Sequence, residues 1–489
     1  MNTSIIRYIL GQVMKVEALL MMLPCIVALI YGEQEGLTFL VVLLICGTLG
    51  FISSHKKPSS NVFYLKEGCV ATALSWIVLS LFGALPFVLT GEIPSFTDAM
   101  FETVSGFTTT GASILTDVEA LSHCSLLWRS FTHWIGGMGV LVFLLAIIPL
   151  SGGSHINLMR AESPGPSVGK LVPKIRYTAR LLYIIYIVLT LIELVLLLIG
   201  RMPLFDAICT SFGTAGTGGF GIKNDSMMSY SPYIQWVVTI FMILFGVNFN
   251  AYYFILYRQF KKAFKIEEVR YYFLIILTSI GIIFIDICNT FSSAFTALRH
   301  ASFQVASIIT TTGFATFDFN QWSQVSKLVL VMLMFIGACA GSTGGGIKVS
   351  RISILVKTVF KELNSYIHPK SIKKIKVDGK PVEHEVVRSI NVYFITFIIL
   401  FSASVFAISF EGKDLVTNFT AVAATINNIG PGLELVGPTG NFSIFSPFSK
   451  WVLTFDMLAG RLELFPLLIL FHPSIWKDVL HSRKKKITQ

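Results

Sequence analysis

The chain has 489 residues, 54% of them hydrophobic and only 13% charged, with a mean hydropathy of +0.72. Soluble domains are about a quarter charged, so this composition excludes a soluble globular protein and indicates a polytopic membrane protein. The formal net charge of +11 would suit nucleic acid if it lay on one soluble face; here it sits in short loops between apolar runs, and no nucleic-acid partner is expected.

Ten apolar spans of about 20 residues follow in chain order, each long enough to cross ~30 Å of hydrocarbon. They lie near residues 9–31, 36–54, 68–90, 124–150, 179–200, 232–257, 271–291, 326–360, 387–410 and 448–473. The first apolar run lacks a small-residue cleavage site and a second span follows at once, so it reads as half of a hairpin and not as a cleavable signal. The seven cysteines (Cys25, Cys46, Cys69, Cys124, Cys209, Cys288 and Cys339) are scattered and form no CxxC pair. They read as small core residues.

Between the third and fourth spans lies the stretch from Asp98 to Phe107. As a helix its roughly ten residues reach about 15 Å, half a bilayer, so it must enter the membrane and return. The same insert recurs between each later pair of spans, and each ends on a glycine that closes a run of small or hydroxyl residues. The four runs are Thr108-Thr109-Thr110-Gly111, Gly216-Thr217-Gly218-Gly219, Thr310-Thr311-Thr312-Gly313 and Asn427-Asn428-Ile429-Gly430. Counting back thirteen residues from each glycine aligns Asp98, Asp206, His300 and Thr417 without a gap, and the minus-six position is small in every row, as Ser105, Gly213, Ser307 and Ala424. Four segments in register, about 100 residues apart, are an internal repeat. The last eight spans therefore group as four units of helix, half-helix, turn and helix, with a hairpin in front. Carbonyls held around an axis by four such turns are what a dehydrated cation needs. Glycine suits the turn because it adopts dihedral angles that L-residues avoid and brings no Cβ into the pore.

Lys and Arg set the expected orientation. His55-Lys56-Lys57, Arg160 to Arg180, Arg258-Gln259-Phe260-Lys261-Lys262, Lys357 to Arg388 and Arg483-Lys484-Lys485-Lys486 fall on one side, and the opposite loops carry only scattered charges such as Arg201, Lys223 and Lys413. By the positive-inside rule both termini are cytoplasmic and the half-helices enter from outside. All four units then share one orientation and can surround an axis along the membrane normal, whereas inverted repeats would meet at a midplane site. Asp98, Asp206 and Asp414 stand at or near the outer starts of half-helices. They are read as ordinary caps, with direct ion contact as the alternative; the C-terminal ends of those helices would favour a cation at the bilayer centre.

Three further features bear on mechanism. The stretch from Gly337 to Gly346 places five glycines inside the eighth span. Each costs about 1 kcal/mol against Ala in a helix, so the helix should break there, at a depth where irregular backbone is tolerated only against protein or a water-filled cavity. Close helix packing through small residues is the alternative. Its second half resembles a phosphate loop, but Ile347 separates glycine from Lys348 and no βα unit surrounds it. Arg461, in the last span, is a costly charge that must face a cavity or a partner, with a structural salt bridge to another helix as the alternative. Glu463 points elsewhere on the helix and is not its obvious partner. His133, beside Trp134, is either a proton relay or a core hydrogen-bonding group, and Glu193 carries little signal. No metal-ligand cluster, nucleophile elbow or catalytic dyad is present, so no enzyme and no bound cofactor are expected.

Over about residues 68–473 these features resemble the Trk/Ktr/HKT superfamily of cation transporters. The front hairpin, the four turn sequences and Gly337-Ala338-Cys339-Ala340-Gly341-Ser342-Thr343-Gly344-Gly345-Gly346-Ile347-Lys348 look most like its TrkH branch. The resemblance implies an all-α polytopic membrane protein with four pseudo-symmetric M1–P–M2 repeats around a central pore plus an N-terminal two-helix hairpin. The units would be 1–60 (hairpin), 61–155, 156–265, 266–365 and 366–489 (repeats one to four, the last with the basic tail). It implies a potassium-binding filter of Thr109, Thr110, Gly111, Thr217, Gly218, Gly219, Thr311, Thr312, Gly313, Asn428, Ile429 and Gly430. Potassium-selective members keep glycine in all four filters, whereas sodium-preferring plant relatives put serine in the first, which here is Gly111. It implies a pore-obstructing loop that moves to open, with Gly341, Ser342, Thr343, Gly344, Gly345, Gly346 and Lys348, and an electrostatic barrier at Arg461. It further implies potassium uptake across the bacterial inner membrane by a homodimer with a cytosolic nucleotide-binding regulatory subunit resembling TrkA. A sodium-dependent or sodium-conducting Ktr/HKT-like transporter is the alternative within transport; a scaffold whose basic loops bind a partner while the pore is vestigial is the alternative outside it. Channel and proton-coupled symporter need the same filter, and the residues leave that choice open.

Overall fold

Hydrocarbon offers no hydrogen bonds, so a chain this apolar must satisfy its backbone internally, and it does so as helices. The computed structural model describes residues 1–58, 64–137, 139, 175–370, 374–475 and 477. The end of the expected fourth span, most of the basic stretch before Arg180 and the basic tail lie outside them. Among the described residues the one sheet is a hairpin of two-residue strands, Lys376–Val377 and Lys380–Pro381. Its turn residues Asp378 and Gly379 take φ of 50° and 76°, the left-handed pair that a tight hairpin turn requires.

The front hairpin runs Thr3–Tyr31, with a break at Met21, and returns as Gly36–His55. Gly11 and Gly50 let its two helices touch, since a Cβ on either would lie 2.9 Å from the other's carbonyl oxygen. Glu33 at its tip fixes it to the first repeat. That carboxylate accepts from the backbone N–H of His123 at 2.7 Å and of Cys124 at 2.9 Å, capping the helix that begins there.

Behind the hairpin one motif is built four times. The leading helices are Leu65–Thr90, Ile175–Ile199, Glu267–Ile287 and His384–Ser409. The short helices are Phe96–Phe107, Leu204–Ala215, Ala294–Ile309 and Leu415–Ile426. At 12 residues, or 16 in the third, they reach roughly 18–24 Å. The returning helices start at His123, Pro232, Gln324 and Pro447. A serine side chain accepts a hydrogen bond from the first turn of each, at Ser122, Ser231, Ser323 and Ser446, as helix N-caps do.

The returning helices differ from uniform spans. Six helices are long and apolar enough to cross a membrane among the described residues, and one bent pair would make a seventh. That pair is the second returning helix, Pro232–Phe245 and Phe249–Leu256, bent by 92°, because Asn248 caps a new helix by accepting from Asn250 N at 2.9 Å. The third breaks after Ile336 and resumes as Val349–Ile367, where the glycines were expected to interrupt it. The fourth ends at Arg461, and Glu463 and Leu464 turn left-handed at φ 60° and 65°. The expected sixth and tenth spans are therefore broken and not continuous.

Candidate cation pathway

Each short helix closes in the same way. The residue two before the closing glycine donates its N–H to a carbonyl three back, and the next residue donates to the carbonyl at the minus-six position. The second set is Thr110 N to Ser105 O, Gly218 N to Gly213 O, Thr312 N to Ser307 O and Ile429 N to Ala424 O, all 2.8 Å. This is a Schellman closure, and it needs a left-handed residue. That residue is Thr109, Thr217, Thr311 and Asn428, with φ between 55° and 59°. The glycine two residues on is left-handed again, at 78°, 75°, 89° and 100° for Gly111, Gly219, Gly313 and Gly430. Threonine resists positive φ, so the first three repeats carry backbone strain at this point, which asparagine lessens in the fourth.

The four turns form a closed ring. A Cβ on Gly111 would meet the Gly218 carbonyl; on Gly219, that of Thr312; on Gly313, that of Ile429; on Gly430, that of Thr110 at 2.8 Å. Repeat one thus touches two, two touches three, three touches four and four touches one. Each glycine is required by the neighbouring repeat's backbone, beyond the pore-side clearance expected from the sequence. All four line one open pocket that is also lined by Arg129, Lys223 and Asn224.

Buried struts hold the ring. Arg129 donates to Glu102 at 2.5 Å, to Gly221 O at 2.8 Å and to Ser113 Oγ at 3.2 Å, with its guanidinium 3.7 Å from the Phe220 ring centre. His133 joins repeats one and two: Nδ1 donates to Gly106 O at 2.8 Å and Nε2 accepts from Phe220 N at 3.2 Å. The core hydrogen-bond reading of His133 holds, and Trp134 stacks on Tyr186 beside it. Glu193 is fully buried in the second leading helix. The second turn reads Gly-Thr-Gly-Gly because of His133: a Cβ on Gly216 would strike its backbone, and one on Gly218 its ring. Asn428 ties the fourth turn to the first by donating to Thr110 Oγ1, and to the last helix by donating to Met457 O, each at 2.9 Å.

Against turns three and four packs the glycine-rich loop between Ile336 and Val349. Its base is closed by Lys348 N to Ile336 O at 3.0 Å and Val349 N to Ala338 O at 3.1 Å. Its tip reaches the third turn, with Gly345 N donating to Thr311 Oγ1 at 2.6 Å. Gly344 and Gly345 have no room for a Cβ, which would lie 2.9 Å from Thr310 O and 2.6 Å from Asn427 O. Lys348 is buried and donates to Gly344 O and, at 3.1 Å, to Gly345 O. Arg461 donates to Thr343 O and Gly137 O, each at 3.0 Å, and to Gly136 O. It bridges the loop to the first returning helix through carbonyls. Glu463 pairs instead with Arg351, just past the loop. Among the described residues no group of three His, Cys, Asp or Glu side chains could hold a metal ion.

A family model described as a cation transport protein, TrkH, matches residues 33–478. The chain belongs to the TrkH family. It is 38% identical to the Trk system potassium uptake protein TrkH of Salmonella typhimurium, over 98% of this chain and 100% of that protein. It is 33% identical to the Trk system potassium uptake protein TrkG of Escherichia coli K12, again over 98% and 100%. The crystal structure of the potassium transporter TrkH from Vibrio parahaemolyticus superposes with a TM-score of 0.87 at 32% identity, covering 97% of this chain and 100% of that one. TrkH proteins are transporters, so the chain is a multi-pass membrane transport protein and not an enzyme.

Within this TrkH fold the aspartates at the short helices have separate partners. Asp414 is a true N-cap, accepting from Thr417 N at 2.8 Å; the Thr417 hydroxyl, followed by that N–H, holds its carboxyl below the ordinary range. Asp98 pairs with Lys450 at 2.6 Å, and Asp206 accepts from Tyr230 at 2.8 Å. Asp414→Ala should lower stability by about 1 kcal/mol, the worth of an N-cap, read as a lower thermal midpoint in detergent with ion preference unchanged.

Proposed function

We propose that the chain carries potassium across the bacterial inner membrane through the ring of Gly111, Gly219, Gly313 and Gly430. The observation that carries this reading is the ring itself: four left-handed turns, each resting on the next repeat's carbonyl. Such a ring offers a cation backbone oxygens in place of its water, contributed by Thr109, Thr110, Thr217, Gly218, Thr311, Thr312, Asn428 and Ile429 with the four glycines. The relatives named as potassium uptake proteins support potassium as the ion. In this reading the loop with Gly341, Ser342, Thr343, Gly344, Gly345, Gly346 and Lys348 is the gate. The termini are cytoplasmic, the working unit is a homodimer, and a cytosolic nucleotide-binding subunit resembling TrkA regulates it. Tracer potassium flux into liposomes, with sodium or rubidium as competitors and with or without a proton gradient, tests the proposal. Flux that follows sodium overturns the choice of ion, no flux at all favours the scaffold reading, and dependence on the proton gradient separates symport from channel conduction.

Arg461 adds a barrier in this scheme. A unit charge 4 Å from a passing cation opposes it by about 4 kcal/mol at an effective dielectric of 20, and water in the cavity reduces that considerably. Neutral Arg461→Gln should raise potassium flux per folded molecule several-fold at unchanged preference. Arg461→Lys keeps the charge but cannot span Thr343, Gly136 and Gly137 together, so near-parent flux assigns the effect to charge and raised flux assigns it to the tether. A fall in normalised flux for Arg461→Gln would sink both.

A further inference from the structure

One buried carboxylate sits where the intramembrane loop meets the second repeat. Glu268, in the first turn of Glu267–Ile287, is 8% exposed. Its Oε1 accepts from Ala340 N at 2.7 Å and from Ser350 N at 3.1 Å, and its Oε2 accepts from Asn248 Nδ2 at 3.2 Å. Ala340 belongs to the entering limb of the loop, Ser350 to the helix that leaves it, and Asn248 to the break in the second returning helix. All three partners donate. A carboxylate accepts from all of them at once, and its amide isostere cannot, because half of that amide is itself a donor. The break is the loop's dock as well: Cys339 N donates to Gly246 O at 3.1 Å, Phe249 N to Gly341 O at 3.0 Å, and Thr343 Oγ1 to Phe245 O at 3.2 Å.

The preceding residue is gripped from the hairpin of Lys376–Val377 and Lys380–Pro381. Glu267 N donates to Asp378 Oδ1 at 2.7 Å, Asp378 N returns a bond to Glu267 Oε2 at 3.3 Å, and Lys357 pairs with Glu267. Lys357 also donates to Lys376 O at 2.8 Å, and it stands on the helix that leaves the loop. A chain of short contacts therefore runs from hairpin to Glu267, to Glu268, and to both limbs of the loop. The loop can move as a unit, since its base is closed on itself and Gly337 and Gly346 at its ends have φ of 73° and 76°. Preformed segments hinged at two points are common switching elements.

We propose that Glu268 is the positioning residue that latches the intramembrane loop shut, and that Glu267 beside it passes movement of the 376–381 hairpin to that latch. The proposal rests on the reading of the loop as the gate. Its test uses the full-length chain in liposomes, with potassium flux normalised to folded protein. A second readout is the modification rate of Cys339, which is buried in the loop, after the other six cysteines are replaced. Glu268→Gln should raise flux by at least about fivefold, the low end of ordinary coupling between sites, speed Cys339 modification, and leave potassium-over-sodium preference as in the parent. Asn248→Asp keeps the oxygen that caps Phe249–Leu256 but turns a second carboxylate on Glu268; it should shift both readouts the same way. Asp378→Ala should do so more weakly, and parent values there overturn the hairpin's part. Folded Glu268→Gln and Asn248→Asp with parent flux and parent Cys339 reactivity overturn the latch. If Glu268→Gln does not fold, Asn248→Asp decides. Deletion of Gly341 to Gly346 separates the two readings. If deletion leaves flux unchanged the gate reading fails; if deletion raises flux and neither point variant does, only the latch fails.

Discussion

Gly219→Ser should cost the protein at least about tenfold in potassium-over-sodium preference, equivalent to about 1.4 kcal/mol. The reason is contact between repeats. A Cβ on Gly219 would fall against the Thr312 carbonyl oxygen, with the Thr312 carbonyl carbon 2.8 Å and the Gly313 carbonyl carbon 3.1 Å away. Those atoms are backbone of the third filter, so they can yield only by turning a carbonyl out of the ring. Left-handed φ adds its own penalty of about 1–2 kcal/mol for an L-residue. Gly91→Ser isolates that second effect, since Gly91 has φ 78° and nothing within 4 Å of its missing Cβ. It should lose some stability and keep the parent's ion preference. Gly111→Ser, Gly313→Ser and Gly430→Ser follow Gly219→Ser by the same contact, each against the next repeat. Retained preference in all four, measured by competitive flux, would remove the filter assignment.

Much of this ring was legible in the sequence because repetition fixes register. The spacing of the four glycines places the turns, and the small residues at minus six turn out to mark the carbonyl that closes each short helix. The minus-two residues Thr109, Thr217, Thr311 and Asn428 belong to the filter set that the resemblance implies, but their left-handed backbone is not legible in the sequence, although Thr, Thr, Thr and Asn occupy the position in the four rows. Asparagine tolerates left-handed backbone better than most residues, and that was the available signal. The 92° bend in the second returning helix was hidden, because Gly246-Val247-Asn248 interrupts an apolar run too briefly to change its average. The partners of Arg461 were illegible for another reason: backbone carbonyls have no side-chain signature. Glu268 was overlooked because an acid in a first helical turn reads as ordinary dipole compensation; only the fold brings Ala340, Ser350 and Asn248 to it.

Deleting Gly341 to Gly346 should raise basal potassium flux well above the parent's if the loop is the proposed gate, because the deleted backbone packs directly against the third and fourth turns. Seen from the sequence alone, such a gate would control access and leave selectivity intact. The geometry modifies that expectation. Gly345 N donates to the hydroxyl of Thr311, whose backbone sits at the strained point of the third filter, and deletion leaves that oxygen without its donor. A neutral hydrogen bond contributes about 0.5–1.5 kcal/mol, and water entering the vacated space replaces part of it. The deletion variant should therefore conduct faster with a fall in potassium-over-sodium preference of less than about tenfold. Thr311→Val in the otherwise intact chain removes the hydroxyl while keeping the loop, and should reproduce the fall in preference without the rise in flux. Per-molecule tracer flux with sodium competition, normalised to folded protein, reads both quantities. If the deletion folds and abolishes flux, the loop supports the ring structurally and does not gate it. If Thr311→Val matches the parent in both, the contact between loop tip and filter has no part in selectivity.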